Sequence, residues 1–143
     1  MTISNAELLK NALPDEVDLV EVLRGDDPVG MFTNPEAIAP DLAVTFSGGQ
    51  AGGPPTHYEG IPGLLEGWSD WLEPWDSYRI QFEEYLAAGD KVLINATVRA
   101  RSARDDVLIE HDPAAVWTLR DGKAVAVTFF LDRDEARRFA GIA

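Results

Sequence analysis

The side chains best placed to move a proton or hold a ligand's polar end in this 143-residue chain are His111, Tyr58, His57, Ser47 and Asp132. An imidazole ordinarily titrates near neutrality, so His111 could act as general base or as hydrogen-bond partner. Its neighbours suggest where it points. Ile109, His111, Pro113, Ala115, Trp117 and Leu119 share one parity and are mostly apolar, whereas Glu110, Asp112, Ala114, Val116 and Thr118 share the other. Side chains two apart line one face of a strand. If Pro113 keeps the register, His111 faces inward, toward Phe129, as the principal ionisable group of any pocket there. A buried imidazole without a partner costs about 1–3 kcal/mol, and Asn95, Tyr58 or a ligand are the expected partners. His57 and Tyr58 follow a Gly/Pro stretch and could form a polar rim at a pocket mouth. Asp132 stands three residues before Glu135, the spacing of a capping box, which explains it without catalysis. The chain has two histidines and no cysteine. A His-based metal triad, thiolate ligands, disulfides and a Cys nucleophile are therefore excluded, and no spacing recommends a mixed His/carboxylate site. Neither metal nor cofactor is expected.

The elements that must position these groups read as helices first and strands after. "SNAELLKNAL" opens with the capping-box spacing Ser4-x-x-Glu7 and carries Leu8, Leu9 and Leu13 on one side. "DEVDLVEVLRG" places Val17, Val20 and Leu23 near helical spacing, with Gly25 as stop. Residues 26–41 read as irregular, and Leu42–Phe46 as a first strand. "SGGQAGGPPT", residues 47–56, is a loop by composition, either a connector or a flap over a pocket mouth. "IPGLLEGWSDWLEPW" predicts a helix with an apolar stripe of Leu64, Leu65, Trp68, Trp71 and Leu72, ending at Trp75. Alternation predicts strands over 77–87, 91–101, 107–119 and 124–131. Asp121-Gly122 supplies the positive φ of a type I′ hairpin turn, and "DRDEARRFAGI" predicts a closing helix. The result is a single α+β domain over residues 1–143, one layer of helices on a curved antiparallel sheet.

Composition narrows the partners. Lys plus Arg number 12 against 25 Asp plus Glu, a net charge of -13. That field repels nucleic acid and anionic membranes. The first ten residues lack the basic and apolar regions of a signal peptide, and no run approaches membrane-spanning length. The expected location is cytoplasmic.

"HYEGIPGLLEGWSDWLEPWDSY", "AAGDKVLINATVRAR" and "AVWTLRDGKAVAVTFFLDRDEA" resemble the SnoaL-like branch of the NTF2-like superfamily, most clearly over residues 41–143. The resemblance implies a cone, its bent sheet wrapping helices around an internal pocket. Relatives of this kind include polyketide cyclases, ketosteroid isomerases, epoxide hydrolases and plain binding proteins. Fold alone does not choose among them. Cyclases and epoxide hydrolases carry an aspartate on the last strand, seven residues after the hairpin glycine. Here that position is Phe129. The arginine and second aspartate of the epoxide hydrolases fall on Ala96 and Val98, and the isomerase aspartate on Ser47. None can take the proton that those chemistries require.

Two readings follow. The preferred one is a binding protein for a small apolar or aromatic molecule, held by Ile94, Ala96, Val98, Trp117, Val127, Phe129, Leu131, Trp68, Trp71, Tyr58 and His111. The alternative is an isomerase or polyketide-cyclase-like enzyme using His111 as acid/base, with help from Tyr58 or Ser47. A third possibility, a pure interaction domain, requires the cone to be filled by side chains. The outward parity includes Leu93, Thr97, Leu108, Val116 and Thr118, more apolar than a solvated face, which predicts a homodimer through the outer side of the sheet.

Overall fold

The computed structural model describes residues 4–25, 32, 35–47, 56–102 and 104–142. Helix α1, Asn5–Ala12, begins as its sequence dictates: the Ser4 hydroxyl accepts the Glu7 N–H at 3.1 Å. The stretch 15–25 is not one helix. It forms a short strand, β1 (Glu16–Asp18), and then α2 (Leu19–Arg24). Asp18 makes the switch: its carboxylate accepts from Val20 N–H and Glu21 N–H as a helix cap, and from Tyr78 N–H at 3.2 Å. An aspartate there ends one element and starts the next.

A single 3-10 turn, Pro35–Ala37, leads into β2, Ile38–Phe46. This strand starts four residues before the expected 42–46. Its pairing is irregular between Ile38 and Ala43, where Pro40 lacks an N–H to give. Most of the Gly/Pro segment, 48–55, lies outside the described residues. A four-residue edge strand, β3 (Thr56–Glu59), precedes α3 (Gly60–Leu72). Trp75 begins β4 (Trp75–Ala88) and does not end the helix. Then come β5 (Lys91–Ser102), β6 (Leu108–His111), β7 (Ala114–Arg120), β8 (Lys123–Phe130) and α4 (Arg133–Ala140). Asp132 caps α4, accepting Asp134 N–H at 2.8 Å.

The sheet is curved and unclosed, in the order β1-β4-β5-β7-β8-β2-β3, with β6 also on β5. It is antiparallel except for β2 beside β8, which run parallel. The expected strand 107–119 is interrupted at Asp112-Pro113. Register survives the break: Val98 faces His111 and Ile94 faces Ala115 in one antiparallel alignment.

Helices α1, α2 and α3 pack on the concave face, where Leu9, Leu42, Leu64, Ile94, Val98 and Val127 are buried. Helix α4 takes the opposite face, so the helices do not form one layer. It buries Leu93, Ala114, Val116 and Phe130 under Ala136 and Ala140. Two of the five outward residues expected to pair with a second chain, Leu93 and Val116, are thus covered by the chain's own last helix. Each such apolar side chain taken from water stabilises by about 1.5–3 kcal/mol, which explains their presence without a partner.

Candidate functional site

A cavity of about 80 Å³ lies between α3 and the concave sheet. That exceeds the ~10–15 Å³ one water needs and suits an occupant of about one ring. Ile94 and Ala96 on β5, Trp117 on β7, and Phe129 and Leu131 at the end of β8 line one side; Trp68 and Trp71 on α3 line another. Val98 and Val127 are buried in the surrounding core without reaching the cavity wall. Phe46, Tyr78, Ile80 and Phe82 also line it. Sequence alternation places Tyr78, Ile80 and Phe82 on one face of a strand but does not bring that face to the pocket. Phe129 packs against Phe46 at 4.9 Å between ring centroids and against Trp68 at 6.1 Å. Phe46 stacks on Trp71 at 5.8 Å.

The wall is almost free of charge. Among the described residues, Tyr78 is the only titratable side chain that lines the cavity. Burial pushes its hydroxyl up to about 12, with a hydrogen bond from Trp71 opposing, so it is neutral at physiological pH. The Trp71 indole N–H donates to the Tyr78 oxygen at 3.3 Å, and His111 Nε2 lies 3.1 Å from the same oxygen.

His111 itself lines an adjoining hollow, together with Pro74, Trp75 and Ile109. Trp71, Tyr78 and Leu131 belong to both spaces, so Tyr78 stands between the imidazole and the cavity. Desolvation lowers the His111 pKa, and nearby Asp112 works against that shift. The imidazole's partner is Tyr78, neither Asn95 nor Tyr58. Asn95 donates to Glu84 at 2.8 Å, and the Tyr58 hydroxyl donates to Asp70 at 3.1 Å. Tyr58 meets Phe46 edge-on at 5.8 Å and does not line the cavity. His57 Nδ1 is 3.1 Å from the Thr45 hydroxyl on an exposed edge. Ser47 donates its backbone N–H to the Phe129 carbonyl at 2.9 Å. No group of three metal-ligating side chains occurs among the described residues, and no described helix is long and apolar enough to cross a membrane.

A curved, unclosed sheet backed by helices, with an apolar pocket between them, is the NTF2-like fold. The chain belongs to the SnoaL-like domain family, whose model matches residues 18–127. Solved structures agree on the fold. An NTF2-like protein from Burkholderia thailandensis E264 is 21% identical, with 99% of this chain and 100% of that one covered, at a TM-score of 0.66. An NTF2-like protein of unknown function from Burkholderia pseudomallei K96243 is 19% identical, with 95% and 97% covered, at 0.63. TerC, co-crystallized with polyporic acid, is 19% identical, with 86% and 98% covered, at 0.60. No curated protein matches.

Proposed function

We propose that this SnoaL-like protein binds a small apolar or aromatic molecule, about one ring in size, in the cavity between α3 and the sheet. The observation that carries the reading is the wall: aromatic and aliphatic side chains, with the neutral Tyr78 as the one titratable group among the described residues. Empty apolar space forfeits contacts that a ligand restores, and small-molecule sites are mostly apolar with a few placed polar groups. The structurally similar TerC, crystallized with polyporic acid, supports the use of this fold for holding small molecules. The position that would carry the last-strand acid of the cyclases and hydrolases is Phe129, and the one that would carry the hydrolases' arginine is Ala96, both lining the cavity. Native mass spectrometry of the purified protein tests the reading. A retained or added one-ring compound at one per chain supports it; failure of a panel of apolar aromatics to bind at millimolar concentration refutes it.

A second reading, acid/base catalysis through His111, has the 3.1 Å contact with Tyr78 in its favour. It requires a substrate that reaches Tyr78 or the adjoining hollow, because His111 does not line the cavity. We also propose a cytoplasmic protein that pairs two-fold through the outer sheet surface left clear by α4, around Thr97, Leu108 and Thr118. Leu108 is 76% exposed, and two-fold pairing is the commonest oligomeric geometry. A monomer mass by light scattering would refute the pairing.

A further inference from the structure

We propose that the cavity's ligand carries a neutral hydrogen-bond acceptor, a carbonyl oxygen on its small apolar frame, and that Tyr78, set by Trp71 and His111, recognises it. This rests on the binding reading above and adds the functional group.

Among the described residues that line the wall, the polar side-chain atoms are the Tyr78 hydroxyl and the indole nitrogens of Trp68, Trp71 and Trp117. All four carry a hydrogen, and only the Tyr78 oxygen can also accept. Donors without a cation among these described residues favour one ligand chemistry. A carboxylate would lose its water without gaining a counter-charge, a heavy desolvation cost. A hydroxyl or amine would need an acceptor, which the Tyr78 oxygen offers only when its own O–H is turned to His111. A carbonyl needs only a donor.

Tyr78 can supply it because of how its oxygen is surrounded. It has two lone pairs and one hydrogen. Trp71 N–H takes one lone pair at 3.3 Å. His111 Nε2, at 3.1 Å, either donates to the other lone pair or accepts the hydrogen. In the first arrangement the Tyr78 O–H is free for the ligand; in the second it is consumed. A neutral imidazole can adopt either tautomer. A carbonyl ligand therefore selects the Nε2–H form of His111, and His111 acts as a positioning residue through Tyr78. Trp71 and Tyr78 border both the cavity and the hollow that holds His111, so the three groups form one connected wall.

Acetophenone and ethylbenzene are matched probes: each has one ring and a two-carbon chain, and they differ by C=O against CH2. Both are titrated into the wild-type protein and Tyr78→Phe. One neutral hydrogen bond is worth about 0.5–1.5 kcal/mol net, so acetophenone should weaken roughly 3–10-fold in the variant while ethylbenzene is unchanged. Unchanged ethylbenzene binding also shows that the variant's cavity is intact. In parallel, nitrogen-15 spectra of histidine-labelled wild-type protein should place His111 in the Nε2–H tautomer when acetophenone is bound. Equal effects on both probes, or a bound-state Nδ1–H tautomer, would overturn the proposal while leaving the binding reading standing. Failure of both probes to bind the wild type would overturn the binding reading as well. Should Tyr78→Phe not fold, the tautomer measurement decides alone.

Discussion

Replacing Gly67 with alanine tests how tightly α3 sets the cavity. In an ordinary helix interior, glycine to alanine stabilises by about 0.8–1.0 kcal/mol. Here the added Cβ would sit 2.5 Å from Phe46 Cε1 and 3.0 Å from Tyr58 Cδ2 and Cε2. The Phe46 ring cannot simply swing aside: it is 4% exposed and flanked by Tyr58, Trp71 and Phe129. Overpacking a filled core costs about 1–3 kcal/mol, and a 2.5 Å approach belongs in the upper part of that range. The difference is a net loss of about 1–2 kcal/mol, or roughly 3–8 °C in Tm for a chain of this size. Pushed from the α3 side, the Phe46 ring moves toward Phe129, narrows the cavity and weakens ligand binding. Gly25→Ala is the control. Among the described residues its Cβ meets the Val22 and Glu21 carbonyl oxygens, at 3.4 and 3.5 Å, so its stability should stay within about 0.5 kcal/mol of wild type. Urea titration and thermal melting of the three proteins give the answer. A Gly67→Ala protein more stable than wild type, by the ordinary helix increment, would show that α3 and β2 are not in the tight contact described.

Asp18→Ala removes the cap of α2 and the acceptor of Tyr78 N–H together; a cap alone is worth about 0.5–2 kcal/mol, and the loss in urea unfolding should reach the top of that range, whereas a change below 0.5 kcal/mol would mean that water replaces the carboxylate freely. Raised from an ordinary 10 to about 12 by burial, Tyr78 stabilises the fold fully below pH 10, and the contribution, about 2–3 kcal/mol at ~1.4 kcal/mol per unit, is lost as pH rises from 10 through 12. Tyr85, raised similarly, adds to this limb, and Tyr78→Phe should flatten the alkaline fall in Tm without abolishing it. His111 has its pKa lowered, so its contribution is present above its unfolded value of 6.5 and is lost as pH falls through that value toward the folded one; a His111→Gln protein should show a smaller stability drop between pH 7 and 5. Phe129→Asp places a carboxyl on a wall with no cation among the described residues, which raises its folded pKa; the variant should be closest to wild-type stability at acid pH and lose ground as pH rises, and the opposite slope would mean that the site is solvated.

Local signals were the most legible in the sequence. Ser4 with Glu7, Asp121-Gly122 and Asp132 state their turns and caps within four residues, and β5 alternates from Ala96 to Arg101. The misreadings arose where a distant partner decides the local form. Val17, Val20 and Leu23 sit near helical spacing, yet β4 draws residues 16–18 into the sheet and Asp18 restarts the chain as α2. Ile38 enters β2 opposite Ala124 on β8, and Thr56–Glu59 becomes a strand against Ala43–Phe46, partners that no short window contains. The apolar outward positions Leu93 and Val116 suggested a partner chain because nothing local says on which face α4 lands. For the site, strand parity found the aromatic wall but not Tyr78 as its polar point, since that role depends on Trp71 and His111 converging on one oxygen from two other elements.

The parallel seam between β2 and β8 bears on the order in which the molecule comes together. Strand pairs β4–β5 and β7–β8 are chain neighbours, but β2 and β3 join the rest of the sheet only through β8, some eighty residues later. Such distant pairing closes a long loop before any contact rewards it and slows folding. A nascent chain that has not yet delivered Lys123–Phe130 therefore has no cavity at all, because Phe46 and Phe129 meet across that last seam. A ligand in the cavity, packed against both rings, clamps the seam from inside. Its effect should fall mainly on the unfolding rate, since the contacts it reinforces are absent until the end of folding.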